Sequence, residues 1–257
     1  MSDNLAQLLL STLLRRSALA AELMLTPPRL IGDALPEPAL STDPVIIVHG
    51  IVDSENGSYD YANSLRRDGF RVFTPTMPNG GLDGVMANVA YLKQYVAWVL
   101  RTTGAKRVDL VGHSQGGLTI RAFIKSGGAG LVESVVTINS PHHGIAGYWR
   151  PLLDAARAIR LLGRAIPKGL MELDSRSDLV RWLNEGDETP GDIRYTALMS
   201  RDADGIVTPG SSAALEGARI VTLEMGRLLA RGPHHLLVNH DDADAFEAVR
   251  AALLRPR

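Results

Sequence analysis

From Pro44 onward, the sequence alternates short apolar runs rich in Val and Ile with stretches of helical periodicity. Apolar runs of this kind are typical of strands buried on both faces, and parallel strands need a long connection such as a helix. The alternation therefore predicts an α/β fold, in which helices cover both faces of a mainly parallel sheet. The predicted strands are 44–50, 70–78, 107–113, 131–140, 192–200 and 218–224; the predicted helices are 58–69, 84–104, 241–254 and one from the end of the third strand to about Ser126.

Length and composition limit the classes of protein that this chain can belong to. With 257 residues, 45% of them hydrophobic, the chain can bury one full core, so we expect a single domain over 1–257. The formal net charge is −1 without long charged blocks, which gives no electrostatic reason to expect a nucleic-acid partner. The absence of cysteine excludes disulfides, zinc–thiolate sites and a thiol nucleophile.

The N-terminal lead-in, residues 1–43, is rich in leucine at helical spacing. This pattern predicts an amphipathic helix that packs on the main domain, and attachment to a membrane surface through its apolar face is the alternative. The start is acidic at Asp3, and Arg15 and Arg16 interrupt the apolar run, unlike a secretory signal. We therefore expect a cytoplasmic protein.

Residues 145–191 break the alternation of strands and helices. This stretch is helical and amphipathic, and it lies between two predicted strands of the sheet. A decorative insertion would have the same pattern. We interpret it as a helical cap over the strand ends, with apolar residues that line a pocket for an acyl chain.

The stretch Gly112-His113-Ser114-Gln115-Gly116 follows the third predicted strand directly and leads into a helix. A Gly-x-Ser-x-Gly pattern in this context is typical of a turn that holds a serine nucleophile in a strained conformation. Small residues two positions before and two positions after the serine avoid collisions with neighbouring segments of the backbone. The pattern predicts Ser114 as the nucleophile.

A serine hydroxyl needs a base to take its proton and a carboxylate to orient that base. In this architecture the acid follows the serine along the chain and lies just past a strand. Asp204 begins the segment Asp-Gly-Ile-Val-Thr-Pro after the fifth predicted strand and is the favoured acid. Asp202 is the alternative.

The base is expected last in the chain, between the sixth predicted strand and the final helix. His235 is favoured because the following Leu-Leu-Val can tether its loop to the core. His234 stays open as the alternative. His240 is expected at the first turn of the final helix, on the surface.

Acyl transfer also requires hydrogen-bond donors for the oxyanion. We expect the backbone N–H groups of Gln115, which follows the nucleophile, and of Ile51, in the loop after the first strand. The adjacent residues His49, Gly50 and His113 are expected to bind the substrate. For His49 the alternative is a buried ring with backbone partners.

Several segments together resemble the α/β-hydrolase lipases of the actinobacterial and Candida antarctica lipase B-like type. They are "VDLVGHSQGGL", "VVTINSPHHG", "LNEGDETPGDIRYTALMSRDADGIVTP" and "HHLLVNHDD", within a resemblance that covers residues 44 to 254. The resemblance implies an α/β-hydrolase fold, hydrolysis of carboxylic esters including acylglycerols, and no cofactor. It places the nucleophile on Ser114, the acid on Asp204 and the base on His235. It also implies that His142 and His143 belong to a structural loop.

These observations predict a serine hydrolase that acts on small-molecule or lipid esters through an acyl-enzyme. Thioesterase, lactonase or amidase chemistry with the same triad is an alternative, and so is a non-catalytic relative that binds a ligand. The pairs His142-His143 and His234-His235 lack the spacing of zinc ligands, so no metal is expected.

Overall fold

The computed structural model describes residues 43–54, 59–146, 149–161, 166–200, 206–223 and 243–254. The predicted N-terminal helix lies outside these residues. The described strands are β1 (Val45–Val48), β2 (Val72–Phe73), β3 (Val108–His113), β4 (Val132–Ile138), β5 (Arg194–Ser200) and β6 (Arg219–Leu223). The described helices are α1 (Tyr59–Arg67), α2 (Val85–Thr103), α3 (Gln115–Phe123), α4 (Arg150–Leu161), α5 (Lys168–Met171), α6 (Asp178–Leu183) and α7 (Ala243–Leu253).

The six strands form one parallel sheet in the order β2-β1-β3-β4-β5-β6. The chain leaves β1 toward one edge and returns through β3 on the other side, so the strand order reverses between β1 and β3. Ligands of open α/β sheets bind outside the carboxyl ends of the strands at such a point. In register, Val48 lies beside Gly112, and His113 beside Ile138, so the predicted serine and its loop partners leave the sheet together.

Two hydrophobic clusters on opposite faces of the sheet form the core. Ile46, Val48 and Leu110 pack with apolar residues of α2 and α3. Val45 and Ile47 point the other way and pack with residues of α1 and α7. Because successive strand residues face opposite sides, strands covered on both faces read as unbroken apolar runs. The parallel sheet with helices on both faces is confirmed.

Strand β2 is much shorter than its predicted range of 70–78. Its ladder with β1 ends after Phe73, and Pro75 and Pro78 follow closely. Proline has no backbone N–H, so it cannot donate a hydrogen bond to the ladder with β1. The remainder of the predicted strand is extended chain and a short turn at Pro78–Gly81.

The described part of the cap region consists of three separate helices, α4, α5 and α6. Asp174 holds this region together: its carboxylate is fully buried and forms ion pairs with Arg150, Arg157 and Arg176 at 3.0–3.3 Å. Burial opposes ionisation, but hydrogen bonds from Arg176 and the charge of Arg157 hold the pKa of Asp174 below its usual value. The N–H of Ile145 donates to the carbonyl of Leu173 at 2.6 Å, which ties the cap to the chain that follows β4.

Among the described helices, none is both long and apolar enough to cross a bilayer.

A buried carboxyl, Asp109, lies in β3 near the amino-terminal end of the sheet, where it accepts a hydrogen bond from the Ser134 hydroxyl. Burial raises its pKa to about 7. Between about pH 4 and pH 7, the folded protein therefore keeps a proton that the unfolded chain has released. Stability from this group is full at low pH and is lost as the pH rises through that window.

We expect Asp109→Asn to remove this loss, since an amide oxygen can still accept from Ser134. Relative to wild type, the variant should gain stability as the pH rises from about 4 to 8, by up to roughly 4 kcal/mol. Urea unfolding across this range measures the difference. Asp83→Asn, at an exposed position, is the control. Equal pH dependence in wild type and Asp109→Asn would contradict the assignment.

Candidate active site

Ser114 occupies the turn between β3 and α3 and has a positive backbone φ of 52°, with ψ −123°. Non-glycine residues rarely adopt positive φ, and such strain persists only where the surroundings enforce it. The Ser114 N–H donates to the Ile138 carbonyl at 3.0 Å, and its carbonyl accepts from the Gly117 N–H at 3.1 Å. These bonds hold the residue in place while its hydroxyl makes no capping bond to α3.

The glycines around Ser114 lie where no side chain fits. A Cβ on Gly112 would approach the Gly117 nitrogen to 2.7 Å. A Cβ on Gly116 would collide with the backbone carbonyl of Val48, and one on Gly117 with the side chain of Ser140. The glycine run therefore lets α3 pack directly against the end of β1 and the chain that follows β4.

The loop after β1 passes directly over the serine. A Cβ built on Gly50 would lie 3.1 Å from the Ser114 Cβ. The next residue, Ile51, is half-buried and packs against the core. Val52 has φ 62°, and its N–H donates to the Gly80 carbonyl at 2.7 Å. This places the predicted donor Ile51 between two fixed points, and its role as an oxyanion donor stays a prediction.

His49 has backbone partners at both ring nitrogens. Its Nε2 accepts from the Met77 N–H at 2.8 Å, and its Nδ1 is 2.7 Å from the Gly50 carbonyl, so Nδ1 carries the proton that it donates. The ring is 2% exposed. This geometry fits the alternative of a buried ring with backbone partners, and it makes His49 a residue that positions Gly50 and Ile51. A role of His49 in substrate binding stays a prediction.

His113 precedes the nucleophile at the end of β3 and is also buried. Its Nδ1 would lie 3.3 Å from a Cβ on Gly50, so its ring packs under the loop after β1. A role of His113 in substrate binding stays a prediction.

The carboxyl ends of β4 and β5 are joined by Asn139, which has φ 44°. Its Oδ1 accepts from the Ser200 N–H at 2.8 Å, and its Nδ2 donates to the Ser200 hydroxyl at 2.9 Å. Ser200 is the last described residue before the segment that carries the acid candidates. The sequence analysis did not find this role of Asn139, because its partner lies 61 residues away along the chain.

The predicted acid and base lie outside the described residues. These are Asp202 and Asp204, which follow β5 in the chain, and His234, His235 and His240, which follow β6. Their assignments stay predictions.

His142 in the segment after β4 is fully buried, with its Nε2 3.0 Å from the Thr137 hydroxyl. Burial, together with the nearby Arg121 and His143, lowers its pKa well below the usual value, so the ring is neutral. His143 points outward and contacts Glu188 at 2.9 Å. The two rings have different partners. Among the described residues, no cluster of three or more His, Asp or Glu side chains is placed to hold a metal ion.

A cavity of about 790 Å³ lies between the described cap helices and the first turn of α2. Apolar side chains (Met86, Met171, Leu179 and Trp182) and basic ones (Arg157, Lys168, Arg176 and Arg181) contribute to its lining. Ser114 does not line it. The acyl pocket expected in the cap region therefore stays a prediction.

Comparisons with known proteins agree with this architecture. Residues 43–160 match a family described as the alpha/beta hydrolase fold. A triacylglycerol lipase of Pseudarthrobacter phenanthrenivorans is 37% identical over 108 residues, which are 39% of this chain and 34% of the relative. A lysosomal thioesterase, PPT2-B of Xenopus laevis, is 26% identical over 113 residues, which are 42% of this chain and 39% of that relative. The mature Bacillus licheniformis lipase BlEst2 superimposes with a TM-score of 0.68 at 19% identity, covering 87% of this chain and 97% of that one.

The parallel sheet and the serine at the β3–α3 turn give the chain the α/β-hydrolase fold, and residues 43–160 match the model of that family. In sequence, the chain is similar to triacylglycerol lipases over about 39% of its length. The aligned segment spans about a third of the triacylglycerol lipase's own length.

Proposed function

We propose that the protein is a serine hydrolase of carboxylic esters that acts through an acyl-enzyme. One observation carries the proposal: the positive backbone φ of Ser114, at the start of α3 and next to the Gly50 loop. A strained, positive-φ serine at this point of the sheet is the geometry that a nucleophile on a sharp turn requires. The relation to a triacylglycerol lipase supports an oxygen ester as the substrate.

In the proposed reaction, the Ser114 Oγ attacks the ester carbonyl carbon while His235 takes the hydroxyl proton. The carbonyl oxygen becomes an oxyanion, which the N–H groups of Gln115 and Ile51 stabilise. Collapse of this intermediate breaks the bond to the alcohol, which leaves with the proton from His235. Water then attacks the acyl-enzyme, His235 takes one of its protons, and the carboxylic acid is released as Ser114 regains a proton. Asp204 holds the ring of His235 in the correct tautomer.

A rate series on p-nitrophenyl esters tests the proposal. We expect the purified protein to hydrolyse the acetate and butyrate with saturation kinetics, and heat-unfolded protein serves as the blank. The octanoate and palmitate, dissolved or emulsified, then separate an esterase from a lipase. An increased rate on emulsified long-chain ester supports the lipase assignment and the acyl pocket in the cap. A protein that hydrolyses none of these esters contradicts the proposal.

Thioester hydrolysis is the second candidate, and the similarity to a lysosomal thioesterase favours it. The same serine and oxyanion donors serve both reactions, because the tetrahedral intermediates differ only in the leaving group. An oxygen ester and a thioester of the same acyl group, butyrate, distinguish the two functions. For each ester, kcat/KM is divided by the rate constant of its hydrolysis by hydroxide, and the two corrected values are compared. We expect the corrected ratio to favour the oxygen ester, and a preference for the thioester of about tenfold or more would reverse the assignment.

The two neighbouring histidines are distinguished by single substitutions. We expect His235→Ala to reduce kcat by about 10³-fold or more, because no other group takes the serine proton. His234→Ala should keep most of the activity and serves as the matched control. The measurement is kcat on p-nitrophenyl butyrate with circular dichroism of both variants. The reverse pattern would assign the base to His234, and full activity in both would show that neither is the base.

A further inference from the structure

The side chain of Gln115 is fully enclosed, although its expected contribution is only the backbone N–H. It is 1% exposed, and it is the first residue of α3, directly after the nucleophile. Its Oε1 accepts from the Asn88 side chain of α2 at 3.3 Å. Its Nε2 donates to the Gly169 carbonyl in α5 of the cap region at 3.2 Å. This amide therefore joins the nucleophile turn to two other parts of the fold.

Two glycines from different segments make room for this amide. A Cβ on Gly81 would collide with the Gln115 Oε1, and a Cβ on Gly169 would collide with the Gly81 carbonyl and lie 2.9 Å from the Gln115 Nε2. Gly81 also has φ +82°, which a larger residue would adopt only with strain. The turn before α2 and the start of α5 are thus both shaped around the end of one side chain.

The cap segment 168–172 has two further anchors, and neither involves α3. The Gly169 N–H donates to the Leu82 carbonyl at 2.9 Å. The Glu172 carboxylate accepts from the Val85 N–H at 2.6 Å, at the start of α2. Both fix the cap segment to the entry of α2. The hydrogen bond from Gln115 to Gly169 instead links this segment to α3, and Gln115 is also the residue whose N–H is expected to stabilise the oxyanion.

We propose that Gln115 is a positioning residue, whose side-chain amide holds the cap segment and thereby fixes the direction of its own backbone N–H. This inference rests on the proposed function. The amide is held by bonds at both of its polar atoms, so rotation of the Gln115 backbone would break at least one of them. Loss of a buried partner is costly, and this resists the rotation. The cap region and the oxyanion site are therefore coupled through one side chain.

Gln115→Met tests the proposal, because methionine has a similar length but no hydrogen-bonding amide. On p-nitrophenyl butyrate we expect kcat to fall by about ten- to a hundredfold, with KM changed less than about twofold, since only transition-state stabilisation is lost. Inactivation by a p-nitrophenyl phosphonate, whose oxygen needs the same donors, should slow by a similar factor. If Gln115 had only a structural role, the substitution would change the midpoint of thermal unfolding but would not lower kcat selectively while KM stays nearly constant.

Thr119→Val is the matched control. Thr119 lies one turn further along α3, is fully buried and contacts the same Asn88 side chain at 3.4 Å, but it has no hydrogen bond to the described part of the cap region. We expect wild-type kcat and phosphonylation rate in this variant. An equal loss of kcat in both variants would assign the effect to packing of α3 and overturn the proposal.

Hydrogen exchange gives a readout that does not depend on activity. In Gln115→Met, the amides of residues 168–172 should exchange at least about fivefold faster than in wild type, whereas Thr119→Val should leave them unchanged. Unchanged exchange, or unchanged kcat and phosphonylation in Gln115→Met, would overturn the proposal. If the wild-type protein neither hydrolyses esters nor reacts with the phosphonate, the proposed function fails, and exchange alone decides whether Gln115 holds the cap.

Discussion

Replacing Ser114 with alanine is expected to lower kcat on p-nitrophenyl butyrate by about 10⁴-fold or more, because the reaction then lacks its nucleophile. The fold should survive, since alanine occupies the same space without the hydroxyl. Circular dichroism and thermal unfolding of the variant establish that point.

The matched control is Ser140→Ala. Ser140 is also fully buried and lies near the same turn, where its hydroxyl contacts the Gly112 carbonyl at 3.4 Å. Its backbone does not have positive φ. We expect this variant to retain activity within about threefold, because it loses at most one weak hydrogen bond. Wild-type turnover in Ser114→Ala would show that Ser114 is not the nucleophile.

The second large effect is expected from Gly116→Ala. The added Cβ would meet the backbone carbonyl of Val48, so no flexible side chain can move aside. Helix α3 and the end of β1 would have to separate, at a cost of about 3 kcal/mol in the free energy of unfolding. The same separation would move apart the N–H groups of Gln115 and Ile51, the proposed oxyanion donors, so kcat should fall by about 10²-fold in the molecules that remain folded.

Urea unfolding and kcat corrected for the folded fraction measure these two effects. Gly130→Ala is the control, because a Cβ there has no atom within 4 Å and the backbone of Gly130 does not have positive φ. That variant should unfold within about 1 kcal/mol of wild type and keep its activity. A Gly116→Ala protein as stable and active as Gly130→Ala would show that close packing at Gly116 is dispensable.

The sheet could be predicted from the sequence because its signal is local. Residues such as Val45 and Ile47 are buried on one face while Ile46 and Val48 are buried on the other, so the strand reads as one apolar run. The turn at Ser114 could also be predicted locally, because the glycines beside the serine occur where no larger side chain fits. The predicted length of β2 was wrong, because the predicted strand ran to Pro78 although the ladder with β1 ends at Phe73, before Pro75.

Other features depend on residues far apart in the sequence and left no local pattern. Gln115 meets Gly169 across 54 positions, and Asn139 meets Ser200 across 61. His49 could be recognised as a candidate, but its hydrogen bond from the Met77 N–H joins residues 28 positions apart and could not be predicted. Periodicity identifies which face of an element is buried, whereas such pairings depend on where the elements meet.

The most direct test of the account is the site of covalent modification by a fluorophosphonate. Tryptic cleavage gives a peptide of residues 108–121, in which Ser114 is the only serine. We predict one phosphonyl group per chain, located by mass spectrometry on Ser114, with activity lost in proportion to labelling. Complete inactivation with the label on a different residue, or continued ester hydrolysis with Ser114 fully modified, would contradict the account.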